Sequence, residues 1–202
     1  MEWSTQTGRH ALGTLPLQSG ASLPGAELSW KTYGTLAPAR DNVIVYPTSY
    51  SAHHTDLEQL IGADGVLDPT RWFIVIPDMF ANGLSSSPSN NDRFPSLVTT
   101  ADNVRAQQRF LREAFGVDRV ACVYGFSMGA QQAYHWAALF PDKSSEPSSS
   151  AAARARRFTT RSFCGRYWRR WRRPLSILAK VVSPRPRRKP CAPSLGSTRA
   201  GR

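Results

Sequence analysis

Three short apolar runs in the first half of the chain predict the strands of a sheet. Leu28–Tyr33 alternates between apolar and polar residues, which predicts a half-buried strand. Val43–Tyr46 and Phe73–Ile76 are continuous apolar runs, as in strands buried on both faces, and Pro77 should end the second of them. Residues 1–13 are mostly polar and are expected to be poorly ordered.

Two further segments carry helix signals. Leu57–Ile61 predicts a short helical piece. Thr99–Asp102 has the form of a capping box, and apolar residues then recur at helical spacing until Gly116, which should end the helix. Residues 78–95 are a loop rich in Asn, Ser, Gly and Pro, and a loop of this length inside a compact domain usually carries function.

Val120–Pro141 is the most informative stretch. Val120–Tyr124 is a short, partly β-branched run that predicts a buried strand, and an alanine-rich helix follows until Pro141. Between them lies Gly125–Gly129, with the pattern G-x-S-x-G. This order predicts a nucleophile elbow, in which Ser127 occupies a tight, strained turn with its hydroxyl exposed. A chance turn with the same letters is the alternative.

The order of these elements predicts the fold class. Continuous apolar strands separated by helices favour a mostly parallel sheet with flanking helices. Strand, helix, strand, elbow and helix form the central part of the α/β-hydrolase fold. The pattern stops after Asp142, so we expect an α/β-hydrolase domain truncated after the elbow helix, with residues 1–142 as the partial domain and residues 143–202 as a disordered tail.

Charge divides the chain at the same point. Residues 1–142 hold 9 Lys and Arg against 13 Asp and Glu, whereas residues 143–202 hold 17 against 1, so the formal net charge of +12 comes from the tail. We expect no signal peptide and no transmembrane helix, because the sequence shows neither a basic-then-apolar leader nor an apolar run of about 18 residues. Three cysteines without metal or disulfide spacing favour a cytoplasmic protein with no bound metal or cofactor.

Two interpretations of residues 143–202 are open. A GC-rich gene read in the wrong frame yields such a mixture of Arg, Pro, Ser and Ala, so the segment is either an out-of-frame or mis-spliced end or a genuine basic tail. In the second case Trp168, Trp171 and Leu175 fall at helical spacing among arginines, which suits binding to nucleic acid or to an anionic membrane. Pro174 argues against one continuous helix.

Residues 28–142 resemble the α/β-hydrolase family of homoserine O-acetyltransferases and their close homologues. The resemblance rests on the stretches Trp30–Leu36, Ile61–Gly62 with Leu67–Pro69, Ile76–Ser89, Asp102–Gln107 and Gly125–Gln132. The elbow departs from the Gly-Gly-Ser-Met-Gly-Gly-Met-Gln that members tend to have, and the loop after Tyr46 departs from their His-Ala-Leu. The resemblance implies acyl transfer or ester hydrolysis by a serine and leaves the acyl acceptor open.

The resemblance also implies roles for single residues. Ser127 would attack an acyl carbonyl and hold the acyl group covalently, with small-molecule partners: acetyl-CoA as a candidate donor substrate, and an alcohol or water as acceptor. The N–H of Met128, without a partner inside its helix, would stabilise the oxyanion. A second N–H would come from Ser49 or Tyr50, although Ser49 could equally be a plain turn residue.

One loop would line the pocket. The resemblance places Asp78–Ser89 beside the substrate, although Ser85–Ser89 are also ordinary turn residues. His53–His54, on the loop that carries Ser49, are expected to be exposed to solvent rather than catalytic.

The residues after Ser127 do not complete a catalytic triad. In this fold an acid and then a histidine follow the serine, but only Asp142, Glu146 and His135 do so here, and His135 precedes both acids. His135 also lies about 12 Å along the helix. We therefore expect turnover reduced about a millionfold, as when subtilisin loses its triad. An inactive remnant whose basic tail binds nucleic acid or membrane is the alternative function.

The elbow strand is expected to lie at an exposed sheet edge. That strand is central in the family, whereas here nothing strand-like follows it except Ile177–Val182. An exposed apolar edge at Val120–Tyr124 would favour aggregation or pairing with a second copy in a homodimer.

Overall fold

The computed structural model describes residues 3–63 and 65–143. The expectations for the basic tail, for its out-of-frame origin and for a strand at Ile177–Val182 lie outside the described residues. The division of the chain into a partial domain at 1–142 and a tail at 143–202 stays a prediction.

A five-stranded mixed sheet forms the framework, in the order β1–β2–β4–β3–β5. β1 and β2 form an antiparallel hairpin, and β2 is antiparallel to β4, whereas β3 is parallel to both β4 and β5. The α/β-hydrolase fold class is as predicted, and the antiparallel strands lie together at one side of the sheet. The strands are β1 (Thr5–Pro16), β2 (Ser22–Tyr33), β3 (Val43–Val45), β4 (Phe73–Pro77) and β5 (Cys122–Val123).

The amino-terminal segment forms β1, so the expectation of poor order for residues 1–13 was wrong. β1 pairs with β2 along its whole length, with register shifts near Gly13. Most of its side chains are exposed, and only Leu12 and Leu15 are buried within it. Because backbone pairing rather than an apolar face stabilises this strand, the pattern of side chains did not reveal it.

Two α-helices follow the predicted positions. α1 (Thr100–Phe115) begins with the predicted capping box: the Asp102 N–H donates to Oγ1 of Thr99, and the Thr99 N–H donates to Oδ2 of Asp102 at 2.9 Å. Gly116 ends α1 in the left-handed conformation, as predicted. α2 (Met128–Leu139) is the elbow helix. The predicted helical piece near Leu57 is a 3₁₀-helix, His54–Leu60, and a second one spans Pro141–Lys143.

Successive residues of the inner strands pack into separate apolar clusters. Val43 and Val45 of β3 join one cluster with residues of α1, whereas Ile44 and Ile74 join another. This alternation places the two clusters on opposite faces of the sheet. The inner strands are therefore buried on both faces, as their continuous apolar runs predicted.

β5 is the last strand in the sheet order of the described residues. On the side away from β3, the Val120 N–H donates to the Lys143 carbonyl at 2.8 Å. β5 thus lies at an edge of the sheet formed by the described residues, as expected, although Cys122 and Val123 are buried. Within residues 3–63 and 65–143 no helix has the length and apolar character needed to cross a membrane.

Candidate active site

β5 and α2 meet at the predicted elbow. Ser127 is the N-cap of α2, with φ 51° and ψ −120°, a backbone conformation that is strained in residues other than glycine. Its side chain is exposed and forms no capping hydrogen bond. The serine hydroxyl is thus presented on a strained strand-to-helix turn, which is the geometry of a nucleophile elbow.

Close packing explains both glycines of the elbow. A Cβ atom on Gly125 would collide with the carbonyl group of Gly129. A Cβ atom on Gly129 would lie 2.6 Å from the carbonyl oxygen of Pro47. A side chain at either position would therefore push the start of α2 away from the strand before it or from the loop after β3.

The loop after β3 and the start of α2 bring two N–H groups to the elbow. The first intrahelical bonds of α2 are donated by Ala130 and Gln131 to the Ser127 carbonyl, so the Met128 N–H has no acceptor in the described part of the chain. The Ser49 N–H is also without an acceptor there, and the Tyr50 side chain is 77% exposed. The oxyanion roles of Met128 and of Ser49 or Tyr50 remain predictions.

Thr48, which the sequence analysis did not single out, ties this loop to its surroundings. It is completely buried. Its N–H donates to the Pro77 carbonyl at 3.3 Å, and its Oγ1 accepts from the Met79 N–H at 2.9 Å. Its carbonyl oxygen accepts from Nε2 of Gln132 at 2.8 Å. Thr48 therefore connects the loop to the end of β4 and to α2.

Two buried glutamines continue this connection. Nε2 of Gln107 donates to Oε1 of Gln132 at 2.5 Å, and Nε1 of Trp136 donates to Oε1 of Gln107 at 2.9 Å. Gln107 and Gln132 are completely buried. Sequence reasoning missed them because glutamine in a helix usually faces solvent. The available signal was the position of Gln107 on the apolar stripe between Val104 and Leu111.

His54 is not exposed, which contradicts the expectation for this loop. Its ring Nδ1 donates to Oδ2 of Asp78 at 2.6 Å, and its backbone N–H donates to Oδ1 at 2.9 Å. Nδ2 of Asn82 also donates to Oδ1, at 3.0 Å. His53 is partly buried and its Nε2 donates to the Asn82 carbonyl at 2.9 Å. Both histidines thus fasten the loop after β3 to the loop after β4.

None of the histidines in residues 3–63 and 65–143 hydrogen-bonds to Ser127. His10 pairs with Glu113 at 3.0 Å on the surface, and Nδ1 of His135 donates to the Gln131 carbonyl at 2.9 Å within α2. The other two belong to the loop contacts described above. Among the described residues, no histidine is therefore placed to act as a base for Ser127.

The serine run after Asp78 has a structural role. Oγ of Ser85 accepts from the Ser29 N–H at 2.9 Å and donates to the Asp78 carbonyl at 2.7 Å. Oγ of Ser86 accepts from the Glu27 N–H at 2.9 Å. Both serines are buried. Their hydroxyl groups accept hydrogen bonds from backbone N–H groups of β2. This contact explains why serines occupy these positions without any contact to a substrate.

Two tyrosines lie beneath the site. Tyr46 precedes the loop after β3, and its ring meets that of Tyr124 edge-on at a centroid distance of 5.3 Å. Burial raises the pKa of Tyr46 to about 12, and burial also raises the pKa of Tyr124. Both phenols therefore stay protonated at neutral pH, and neither can serve as a base for Ser127.

Comparison with known proteins agrees with this geometry. Residues 60–145 match the sequence family of the alpha/beta hydrolase fold. An ethyl acetate hydrolase of Pseudomonas veronii is 40% identical over 137 residues, which cover 65% of this chain and 39% of that protein. A homoserine O-acetyltransferase of Leifsonia xyli subsp. xyli is 32% identical over 154 residues, which cover 65% of this chain and 38% of that protein.

A solved structure shares the fold. An acetylester hydrolase from Corynebacterium glutamicum matches with a TM-score of 0.65 and 39% identity, over 69% of this chain and 42% of that protein. The chain thus spans about two fifths of the length of the relatives it matches.

Proposed function

We propose that this chain carries out a reaction typical of the α/β-hydrolase family. Its N-terminal part belongs to that family, which includes esterases and homoserine O-acetyltransferases. The proposed function is acyl-group transfer from a small acetyl ester through an acyl-enzyme on Ser127, with water as the acceptor. The strained elbow carries this proposal, because it holds the Ser127 hydroxyl exposed at the start of α2, and the Met128 and Ser49 N–H groups have no acceptor among the described residues.

The chemistry follows from the elbow geometry. Oγ of Ser127 attacks the acetyl carbonyl carbon, an O–C bond forms, and the carbonyl electron pair moves onto oxygen as the Oγ proton passes to solvent water. The N–H groups of Met128 and Ser49 stabilise this oxyanion. When the tetrahedral species collapses, the alcohol leaves with a proton. Water then adds to the carbonyl carbon of the acetyl-serine. The bond between this carbon and Oγ breaks, Oγ regains a proton, and acetate is released.

We propose water as the acyl acceptor because the two ester hydrolases are more similar to this chain than the homoserine O-acetyltransferase is. The ethyl acetate hydrolase and the acetylester hydrolase are 40% and 39% identical to this chain, whereas the homoserine O-acetyltransferase is 32% identical. The departures of the elbow and of the loop after Tyr46 from the acetyltransferase pattern point the same way. Acetyl-CoA remains the alternative acyl donor.

No histidine of the described residues is placed to act as the base for this reaction. Each of the four histidines hydrogen-bonds elsewhere, and His135 is the only histidine after Ser127 in the sequence. We therefore propose that this chain acetylates Ser127 slowly. Elbow and oxyanion groups without a triad retain about 10³–10⁴-fold catalysis over water.

Slow time courses of nitrophenol release and of intact protein mass, with p-nitrophenyl acetate in excess, test the proposal. The full chain should release nitrophenol and gain the mass of one acetyl group, which peptide mapping should locate on Ser127. Ser127→Ala should show neither change. Equal release and equal acetylation in the two proteins would contradict the proposed function.

A further inference from the structure

We infer that Gln132 and Gln107 are positioning residues for the oxyanion hole, because they hold the Thr48–Ser49 peptide with its N–H facing the acyl oxygen. The inference rests on the proposed function, since it assumes that the Ser49 N–H is one of the two oxyanion donors. Neither glutamine would touch the substrate. Both would act through the backbone of the loop after β3.

The geometry of one peptide group sets the direction of the Ser49 N–H. A trans peptide is planar, and its C=O and N–H point in opposite directions. Nε2 of Gln132 donates to the Thr48 carbonyl oxygen at 2.8 Å, so it fixes the direction of that carbonyl and, with it, the direction of the Ser49 N–H. If the peptide flipped, a carbonyl oxygen would take the place of the N–H and repel the developing oxyanion.

The hydrogen bonds that run from Trp136 through Gln107 and Gln132 to Thr48 all point in one direction. A glutamine amide has a donor end and an acceptor end, so Gln132 could in principle present either end to Thr48. Nε1 of Trp136 can only donate, and it donates to Oε1 of Gln107 at 2.9 Å. Nε2 of Gln107 therefore faces Gln132 and donates to its Oε1. This leaves Nε2 of Gln132 directed at the Thr48 carbonyl.

Burial makes a reversal of this direction costly. Thr48, Gln107 and Gln132 are completely buried, and Trp136 is 3% exposed. A flipped peptide would leave the buried donor of Gln132 without an acceptor, and a buried donor without a partner is strongly unfavourable. The chain of hydrogen bonds from Trp136 to Thr48 thus selects one of the two peptide orientations.

A reversible tetrahedral adduct tests the inference in the full chain. Trifluoroacetone serves as the probe: Oγ of Ser127 adds to the ketone carbon, the Oγ proton passes to solvent, and the ketone oxygen becomes the oxyanion. Fluorine NMR measures the affinity. Gln132→Met should weaken the adduct about 10- to 100-fold, somewhat less than the loss of a complete oxyanion donor. Gln131→Met, on the exposed face one position earlier in α2, is the matched control and should leave the affinity unchanged.

A second variant provides a readout that a merely structural role would not give. In Gln132→Glu the protonated carboxyl group donates to the Thr48 carbonyl and still accepts from Gln107, whereas the ionised carboxylate cannot donate. Adduct affinity relative to the wild-type chain should be restored at low pH and fall as this carboxyl group ionises. If Gln132→Met and Gln131→Met bind the ketone equally, or if Gln132→Glu shows no pH-dependent rescue, the inference is overturned.

Amide hydrogen exchange separates this inference from the proposed function. If the wild-type chain forms no adduct, or if Ser127→Ala forms the same one, the proposed function fails. The exchange of the Thr48 and Met79 amides then decides the positioning role, because both depend on the position of Thr48. Faster exchange in Gln132→Met than in Gln131→Met supports positioning of the loop, and equal exchange overturns it.

Discussion

The ring of His54 donates from Nδ1 to Oδ2 of Asp78 at 2.6 Å and thereby joins the ends of two loops that follow neighbouring parallel strands. The Asp78 side chain is completely buried, and three N–H groups from His54 and Asn82 surround its carboxylate. This contact stabilises the loop that carries Ser49. Its removal should therefore affect the whole candidate site.

Asp78→Ala should lower the free energy of unfolding by about 3 kcal/mol, because it leaves the buried N–H groups of His54 and Asn82 without their acceptor. Urea denaturation of the full chain measures this change. Asp118→Ala is the matched control: Asp118 is 56% exposed and its ion pair within the described residues is with Lys143, so a change within about 0.5 kcal/mol is expected. Equal shifts in both variants would show that the buried contact is not stabilising.

Ser127→Gly should raise the free energy of unfolding by about 1 kcal/mol, because glycine adopts φ 51° without the strain that a side chain imposes. Ser127→Ala keeps the Cβ atom and should change stability by less than about 0.5 kcal/mol. Urea midpoints of the two variants give the comparison. A glycine variant no more stable than the alanine variant would mean that the elbow is not strained.

Gly129→Ala should lower the free energy of unfolding by about 1–3 kcal/mol, because the added methyl group overlaps the Pro47 carbonyl oxygen. The same variant should speed amide exchange at Thr48 if the loop moves to accommodate the methyl group. Gly62→Ala, where a Cβ atom would meet nothing within 4 Å, should be neutral or slightly stabilising. A neutral Gly129→Ala would refute the close approach of α2 to this loop.

Tyr46 should make the protein sensitive to alkali. Burial raises its pKa to about 12, above the value of about 10 in an unfolded chain, so the folded state keeps the proton that the unfolded state loses. Its contribution to stability is complete below pH 10 and is lost as the pH rises to about 12, by up to about 3 kcal/mol.

Tyr46→Phe should therefore reduce the loss of stability above pH 10, with the residual loss coming from groups such as Tyr124, whose pKa burial also raises. Urea midpoints between pH 8 and pH 12 provide the test. Tyr134, at 53% exposed, serves as the control, and Tyr134→Phe should follow the wild-type curve. Identical alkaline curves for Tyr46→Phe and the wild-type chain would contradict the pKa assignment.

Local sequence patterns were sufficient to predict a strand or helix when the residues that determine it lie close together along the chain. The apolar runs at Val43–Tyr46 and Phe73–Ile76 predicted β3 and β4, because strands buried on both faces need continuous apolar residues. The capping box at Thr99–Asp102 and the end at Gly116 predicted α1, because both depend on residues within one helical turn. The strand, G-x-S-x-G and helix predicted the elbow for the same reason.

By itself, then, the sequence determined the fold class, the strands and helices of residues 28–142 and the position of Ser127, since each depends on neighbours along the chain. Only the tertiary structure decided which polar residues are buried. Gln132 meets Thr48 from 84 residues away, and His54 meets Asp78 from 24. β1 likewise needed its partner, because its order comes from the backbone of β2. Hydrogen bonds between distant segments leave no periodic pattern in either segment, so the sequence did not reveal these contacts, and His54 was expected in solvent.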